Sequence, residues 1–169
     1  MGGSPASGAG RAGRVARPWL AATAVAAGVI IIDQVAKAVV RDSISQGEER
    51  KFLPGVQLVD TRNHGVAFGF FPGSHVGVTI LIAVALLGLL FYFARHRDLA
   101  LIWLPTGMLI GGAVGNVADR LRAGSVTDFI KLPLGWPPFN LADLSITLGI
   151  LVLFAVVDRG RSRDSAREP

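Results

Sequence analysis

The sequence has no cysteine. That excludes disulfides, thiolate nucleophiles and cysteine-based metal sites. Histidine is scarce. His64, His75 and His96 are the three, and none falls in a metal-ligand spacing such as H-E-x-x-H. Metal catalysis is therefore poorly provided for. Charge is sparse too, at 17% of residues against 51% hydrophobic, and the mean hydropathy is +0.50. A soluble domain of 169 residues has little interior for so much apolar side chain, so a membrane protein is expected. The formal charge of +5 comes mostly from arginine. The arginines flank apolar runs instead of lining one surface, which fits membrane topology better than a nucleic-acid footprint.

Four apolar runs are present. Residues 1–17 are rich in Gly, Ala, Ser and Arg and read as a disordered basic tail. The first run extends from Trp19 to about Val40. It is too long for the apolar core of a cleaved signal peptide and carries Asp33 and Lys37 near its far end, so it reads as an uncleaved span. Residues 41–74 are polar and broken by Gly47, Pro54, Gly55, Pro72 and Gly73. Partial alternation there, at Phe52, Val56, Leu58 and Val66-Ala67-Phe68, predicts short strands. The second run covers about Val76 to Phe93, Arg95-His96-Arg97-Asp98 makes a tight charged turn, and the third covers about Leu99 to Ala118. A second polar connection, 119–140, leads to the fourth run, Leu141 to about Val157. Each run can cross a hydrocarbon core of roughly 30 Å.

Four crossings put both tails and the 95–98 turn on one side. Arginine is denser there, so the positive-inside rule makes that side cytoplasmic. The domain reading is a disordered basic cytoplasmic tail at 1–17, one four-helix membrane domain at 18–158 with 41–74 and 119–140 on the extracytoplasmic side, and a basic cytoplasmic tail at 159–169.

Several polar residues sit where hydrocarbon makes them costly. Asp33 and Lys37 are four apart and share a helical face. An ion pair explains them structurally; anchoring a headgroup or an active-site neighbour explains them functionally. Asn116, Asp119 and Arg120 end the third run, where a helix-end cluster is the plain explanation. Gly111, Gly112 and Gly115 before them permit close helix approach. Asn63 precedes a His-Gly turn. Asn140 is a candidate N-cap of the fourth helix, with Asp143 in its first turn. The same helix end favours an ionised Asp143, the state a general base needs.

Asp128 and Asp143 flank a loop containing Pro133, Gly135, Pro137 and Pro138. Two carboxylates that a loop can bring together suggest acid–base chemistry at the membrane surface. Under the four-span topology Asp33, Lys37, Asn63, Asn116, Asp119, Arg120, Asp128, Asn140 and Asp143 all reach one leaflet. Independent structural accidents would scatter. No G-x-S-x-G elbow is present, and Ser125 and Ser145 have no nearby base in sequence. The residues alone leave two other readings open. One is a small polytopic transporter or channel, whose path needs ionisable groups at several depths. The other is a membrane scaffold without catalysis.

Five blocks, in order, carry a resemblance: Asp33-Gln34-Val35-Ala36-Lys37, Asn63-His64-Gly65-Val66-Ala67-Phe68, Gly115-Asn116-Val117-Ala118-Asp119-Arg120, Gly124-Ser125-Val126-Thr127-Asp128-Phe129 and Phe139-Asn140-Leu141-Ala142-Asp143. Over about residues 19–157 the chain resembles the lipoprotein signal peptidases (signal peptidase II), bacterial membrane aspartyl peptidases. The resemblance implies an all-α membrane protein, four transmembrane helices with a small extracytoplasmic β-cradle built from 41–74. It implies a multi-pass enzyme of the bacterial cytoplasmic membrane, both termini cytoplasmic, with its site at the outer leaflet. The implied partners are membrane lipid and a prolipoprotein whose lipobox cysteine carries a diacylglyceryl group; cleavage falls just before that cysteine. No nucleic acid, cofactor or metal is implied, and the chain is expected to act as a monomer. The family's catalytic pair maps to Asp128 and Asp143, and its supporting polar residues to Asp33, Lys37, Asn63, Asn116, Asp119, Arg120 and Asn140. His64 and Leu144 stand where the family often has small or polar residues. In such a pair one shared proton gives an acid and a base. Asp143, at the helix end, is the expected ionised member. Gly65, Gly69 and Gly73 allow a mobile flap over 63–73.

Overall fold

The computed structural model describes residues 7–64, 75–97, 99–133 and 135–165. In chain order these form helix α1 (Ser7–Ser43), strands β1 (Glu49–Leu53) and β2 (Val56–Asn63), helices α2 (His75–His96) and α3 (Trp103–Ala123), strand β3 (Val126–Lys131) and helix α4 (Leu141–Ser165). The strand predicted at Val66-Ala67-Phe68 and the flap from residue 65 on lie outside the described residues.

The four helices fall on the four apolar runs, with shifted ends. Helix α1 starts at Ser7, inside the segment expected to be a disordered tail. Ala and Arg there are strong helix formers and carry the helix back through Pro18. Helix α3 starts at Trp103, four residues later than expected, after a turn in which Leu101 takes a left-handed φ of 65°. It stops at Gly124, whose φ of 68° lets its N–H close on the Arg120 carbonyl at 3.0 Å.

Among the described residues, Ala16–Ser43 and Leu141–Ser162 are long and apolar enough to cross a membrane. Their surfaces are inside out. Asp33 and Lys37 of α1 are fully buried, while Ile31, Ile32, Val35 and Val39 are exposed, as are Leu148, Leu151 and Phe154 of α4. Hydrocarbon solvates such a surface better than water does. Helix α3 does not pass that test; it is the central helix, packed against α1, α2 and α4. Small residues let it in. A Cβ on Gly107 would stand 2.6 Å from the Ala22 carbonyl oxygen of α1, and one on Gly112 would stand 2.5 Å from the Ala142 carbonyl oxygen of α4.

The sheet is antiparallel, in the order β1-β2-β3. Only β1 and β2 come from the 41–74 segment that was expected to build it. The third strand, β3, comes from the second polar connection, where Val126-Thr127-Asp128-Phe129-Ile130 is a short β-branched and aromatic run. Val40 and Ile44 of α1 and Phe129 of β3 form a buried cluster, with Leu58, Ile130 and Leu141 packed on it. This cluster fixes the sheet on one end of the bundle. A second cluster of Ala22, Phe93, Ile102 and Val156 ties the helices together towards the other end.

Candidate active site

Asp128 lies within β3, opposite Thr61 of β2, with Asn63 opposite Val126. Diagonal neighbours on one face of an antiparallel pair can touch. Accordingly, Asn63 Nδ2 donates to Asp128 Oδ2 at 2.9 Å. The loop after β3 is closed by a backbone bridge. The Phe139 N–H donates to the Ile130 carbonyl at 3.0 Å, and the Ile130 N–H to the Phe139 carbonyl at 2.8 Å. Pro133, Pro137 and Pro138 restrict the loop, and Gly135 supplies a φ of 75°. The closure sets Asn140 beside β3, where its Nδ2 donates to Asp128 Oδ1 at 2.6 Å.

The same asparagine starts α4. Its Oδ1 accepts the Asp143 N–H at 2.9 Å, and Asp143 Oδ2 accepts the Asn140 N–H at 3.3 Å. This is a capping box with Asn and Asp in the usual Ser and Glu roles. Asn140 is fully buried and touches both aspartates, so one side chain sets their relation. Asp143 is more than a cap. Its Oδ1 also accepts from Asn116 Nδ2 of α3 at 2.7 Å.

Behind the pair lies a buried charge network. Lys37 Nζ contacts Asp33 Oδ2 at 2.8 Å, Asp119 Oδ2 at 3.0 Å and Asn116 Oδ1 at 3.0 Å. The ion pair read from the i, i+4 spacing is present, and α3 extends it to a triad. Asp33 Oδ1 accepts the Ala142 N–H at 2.9 Å, so a residue of α1 satisfies an orphan donor in the first turn of α4. Asp119 Oδ2 accepts the Thr127 N–H at 3.3 Å, tying the network to β3. Arg120 Nη1 donates to the Asn116 carbonyl at 3.3 Å, and its charge acts on Asp143, Asp128 and Asp119.

Burial strips solvent from Asp128 and pushes its pKa up to about 6. The amide of Asn63 opposes that rise, the charge of Asp143 adds to it, and Asn140 and Lys37 oppose it again. A carboxyl with such a pKa keeps part of its proton near neutral pH.

All nine residues singled out from the sequence gather here. Two further sets were missed. Gln34 donates through Nε2 to Asp119 Oδ1 at 3.0 Å and to the Gly115 carbonyl at 3.2 Å, and its Oε1 accepts from Arg122 at 3.0 Å. Its i, i+3 spacing from Lys37 within an apolar run was the available signal. On the other face of the sheet, Arg41 and Arg62 donate to Thr127 Oγ1 at 3.3 and 3.1 Å. The β2–β3 register pairs Arg62 with Thr127, and the packing of α1 on the sheet brings in Arg41; no local pattern states either. Ser145 Oγ donates to the Met108 carbonyl, a helix-packing contact with no base attached.

The model of the signal peptidase (SPase) II family matches residues 25–157. A lipoprotein signal peptidase of Halothermothrix orenii is 36% identical over 126 residues, covering 74% of this chain and 86% of its own. One of Azoarcus sp. is 39% identical over 158 residues, covering 88% of each. Among solved structures, a bacterial membrane enzyme superposes with a TM-score of 0.79 at 27% identity, covering 88% of this chain and 93% of the other.

Proposed function

The chain belongs to the signal peptidase II family, and we propose that it is an aspartyl endopeptidase whose catalytic pair is Asp128 and Asp143. It is a membrane peptidase that removes the signal peptide from prolipoproteins. The reading adds that cleavage falls just before the lipidated cysteine, at the outer leaflet, in a chain of four crossings with both termini cytoplasmic. The one-sided polar cluster supports that placement, since a transport path would need ionisable groups at several depths.

One observation carries the assignment of the pair. Asn140 bonds the buried Asp128 carboxyl through its side chain and the half-buried Asp143 carboxyl through its backbone N–H, so one residue holds both carboxyls, and the charge of Asp143 reaches Asp128. Asp143 takes a proton from water as its oxygen attacks the scissile carbonyl carbon. Asp128 gives its proton to the carbonyl oxygen. On collapse of the gem-diol, Asp143 returns a proton to the leaving amine nitrogen and a hydroxyl proton returns to Asp128. The pair ends as it began, with one proton between two carboxyls. Arg120 keeps a positive charge beside them, and Asn63, Asn116 and Asn140 hold their oxygens in place.

The test is a single turnover on a lipidated prolipoprotein in 18O-labelled water, with products weighed by mass spectrometry. The expected result is one 18O in the new carboxylate of the signal peptide on the first turnover. Label that appears instead in Asp128 or Asp143 would mean a covalent intermediate and would overturn the water mechanism.

A further inference from the structure

Thr127 and Asp128 are neighbours on β3, and their side chains leave opposite faces of the strand. Asp128 belongs to the active site. Thr127 carries an arrangement that cleavage does not use. Arg41, in the last turn of α1, and Arg62 of β2 both donate through Nη1 to its Oγ1, at 3.3 and 3.1 Å. Two full positive charges thus share one neutral oxygen, whereas guanidinium groups are matched by carboxylate or phosphate oxygens. Asp60 engages Arg62 through Oδ2 at 3.0 Å, and its buried Oδ1 has no hydrogen-bond partner. This carboxylate therefore serves Arg62 alone, and Arg41 is in no ion pair among the described residues. The two guanidiniums are also held in place. Thr127 is buried with its N–H on Asp119 Oδ2, and the buried Asp60 fixes the fork of Arg62. Thr127 Oγ1 accepts twice, so its own hydrogen is left to donate.

The position of Arg41 indicates what supplies an anion. Val35 and Val39 of α1 are exposed apolar residues, and Arg41 stands about 3 Å further along the helix axis. Asp42 and Ser43, which close the helix and the membrane-capable segment, are exposed and polar. Arg41 is therefore at the level of lipid headgroups. The sheet beside it shows Phe52, Leu53 and Trp136 to its surroundings, side chains that suit a lipid interface better than water.

We propose that Arg41, Arg62 and the Thr127 hydroxyl form a binding site for the phosphate of an anionic phospholipid, separate from the catalytic pair. The phosphate gives both guanidiniums a charged acceptor and takes the hydroxyl hydrogen. The site seats the β2–β3 pair on the membrane directly behind Asp128. From the reading above it takes only that α1 crosses the bilayer. Its readout is lipid binding, so its failure leaves the Asp128–Asp143 assignment untouched.

The full chain in uncharged detergent is titrated with phosphatidylglycerol and, separately, with diacylglycerol of the same acyl chains, and bound lipid is read by native mass spectrometry. Phosphatidylglycerol is expected to bind at least about tenfold more tightly. Arg41→Gln and Arg62→Gln are each expected to weaken it about fivefold, the effect of one arginine at a headgroup. Arg50→Gln removes the same charge from the same sheet, at a residue paired with Glu48, and is expected to change affinity by less than about twofold. Equal affinity for the two lipids, wild-type affinity in Arg41→Gln, or an equal loss in Arg50→Gln overturns the proposal. Arg62→Gln strands the buried Asp60; if that variant loses its helical circular dichroism, Arg41→Gln, at an exposed position, decides alone. Inorganic phosphate in about hundredfold excess is expected to leave the lipid bound, because the acyl chains add to the hold. Displacement by it would make this a site for a free anion and would overturn the lipid assignment.

Discussion

Replacing Asp128 with asparagine should make stability less sensitive to pH, by an amount that follows from its site. Asp128 is pushed from an ordinary 3.8 to about 6, mainly by burial. Between those two pH values the folded chain keeps a proton that the unfolded chain has released. The folded state is then favoured at low pH, and that advantage is lost as pH rises through about 6. A shift of that size corresponds to about 3 kcal/mol. The substituted asparagine has no charge to bury. It also mismatches one of the two amides, because Asn63 and Asn140 both donate to the carboxyl. That mismatch costs roughly 1–3 kcal/mol, but it is the same at every pH. The difference in unfolding free energy between variant and wild type should therefore move in the variant's favour by about 2.4 kcal/mol from pH 4 to pH 7, the rest of the shift lying below pH 4. Denaturant titration in micelles, followed by tryptophan fluorescence, reads this directly. A difference that stays constant over that range would refute the burial argument for Asp128.

Three other expectations concern the scaffold. Lys37→Met strands Asp33 and Asp119 without their shared partner and should cost roughly 3–5 kcal/mol in the same titration; a loss below about 1 kcal/mol would mean the triad is not a buried ionic network. Gly112→Ala places a methyl against the Ala142 carbonyl and should destabilise by about 1–3 kcal/mol while lowering cleavage, since α4 carries Asp143. Gly28→Ala, with open space around it, should be neutral or stabilising by up to about 1 kcal/mol, and equal losses in the two would remove close packing as the reason for Gly112. A cysteine at Trp136, an exposed loop position, should react with an impermeant thiol reagent added outside intact cells, and labelling only from the cytoplasmic side would reverse the topology.

The helices and the cap were legible because their signals are local. Apolar runs placed α1 to α4, and Asn140 three residues before Asp143 announced the start of α4. The gathering of polar residues was legible because the length of each apolar run places them near the same ends of their helices. What stayed hidden depends on contacts across the chain. β3 is six residues long and its strand character rests on pairing with β2, which no local pattern states. Asp33 looked like half of an ion pair, and its second task, binding the Ala142 N–H, appears only once α1 and α4 meet. Gln34 stood inside a quoted motif, yet apart from its neighbour Asp33 its partners are more than 80 residues away. Helix α3 spends its surface on α1, α2 and α4, and among the described helices it does not pass the hydropathy test that α1 and α4 pass.

The most direct test of the Asp128–Asp143 pair is the cleavage rate of Asp128→Asn and Asp143→Asn on a lipidated prolipoprotein in liposomes, with each variant first shown to be folded. Two groups that act as one acid–base unit fail together when either is lost. Each variant should lose at least about a thousandfold in kcat, roughly 4 kcal/mol of transition-state stabilisation, with the double variant little worse than either alone. Near wild-type turnover by either folded variant would contradict the assignment.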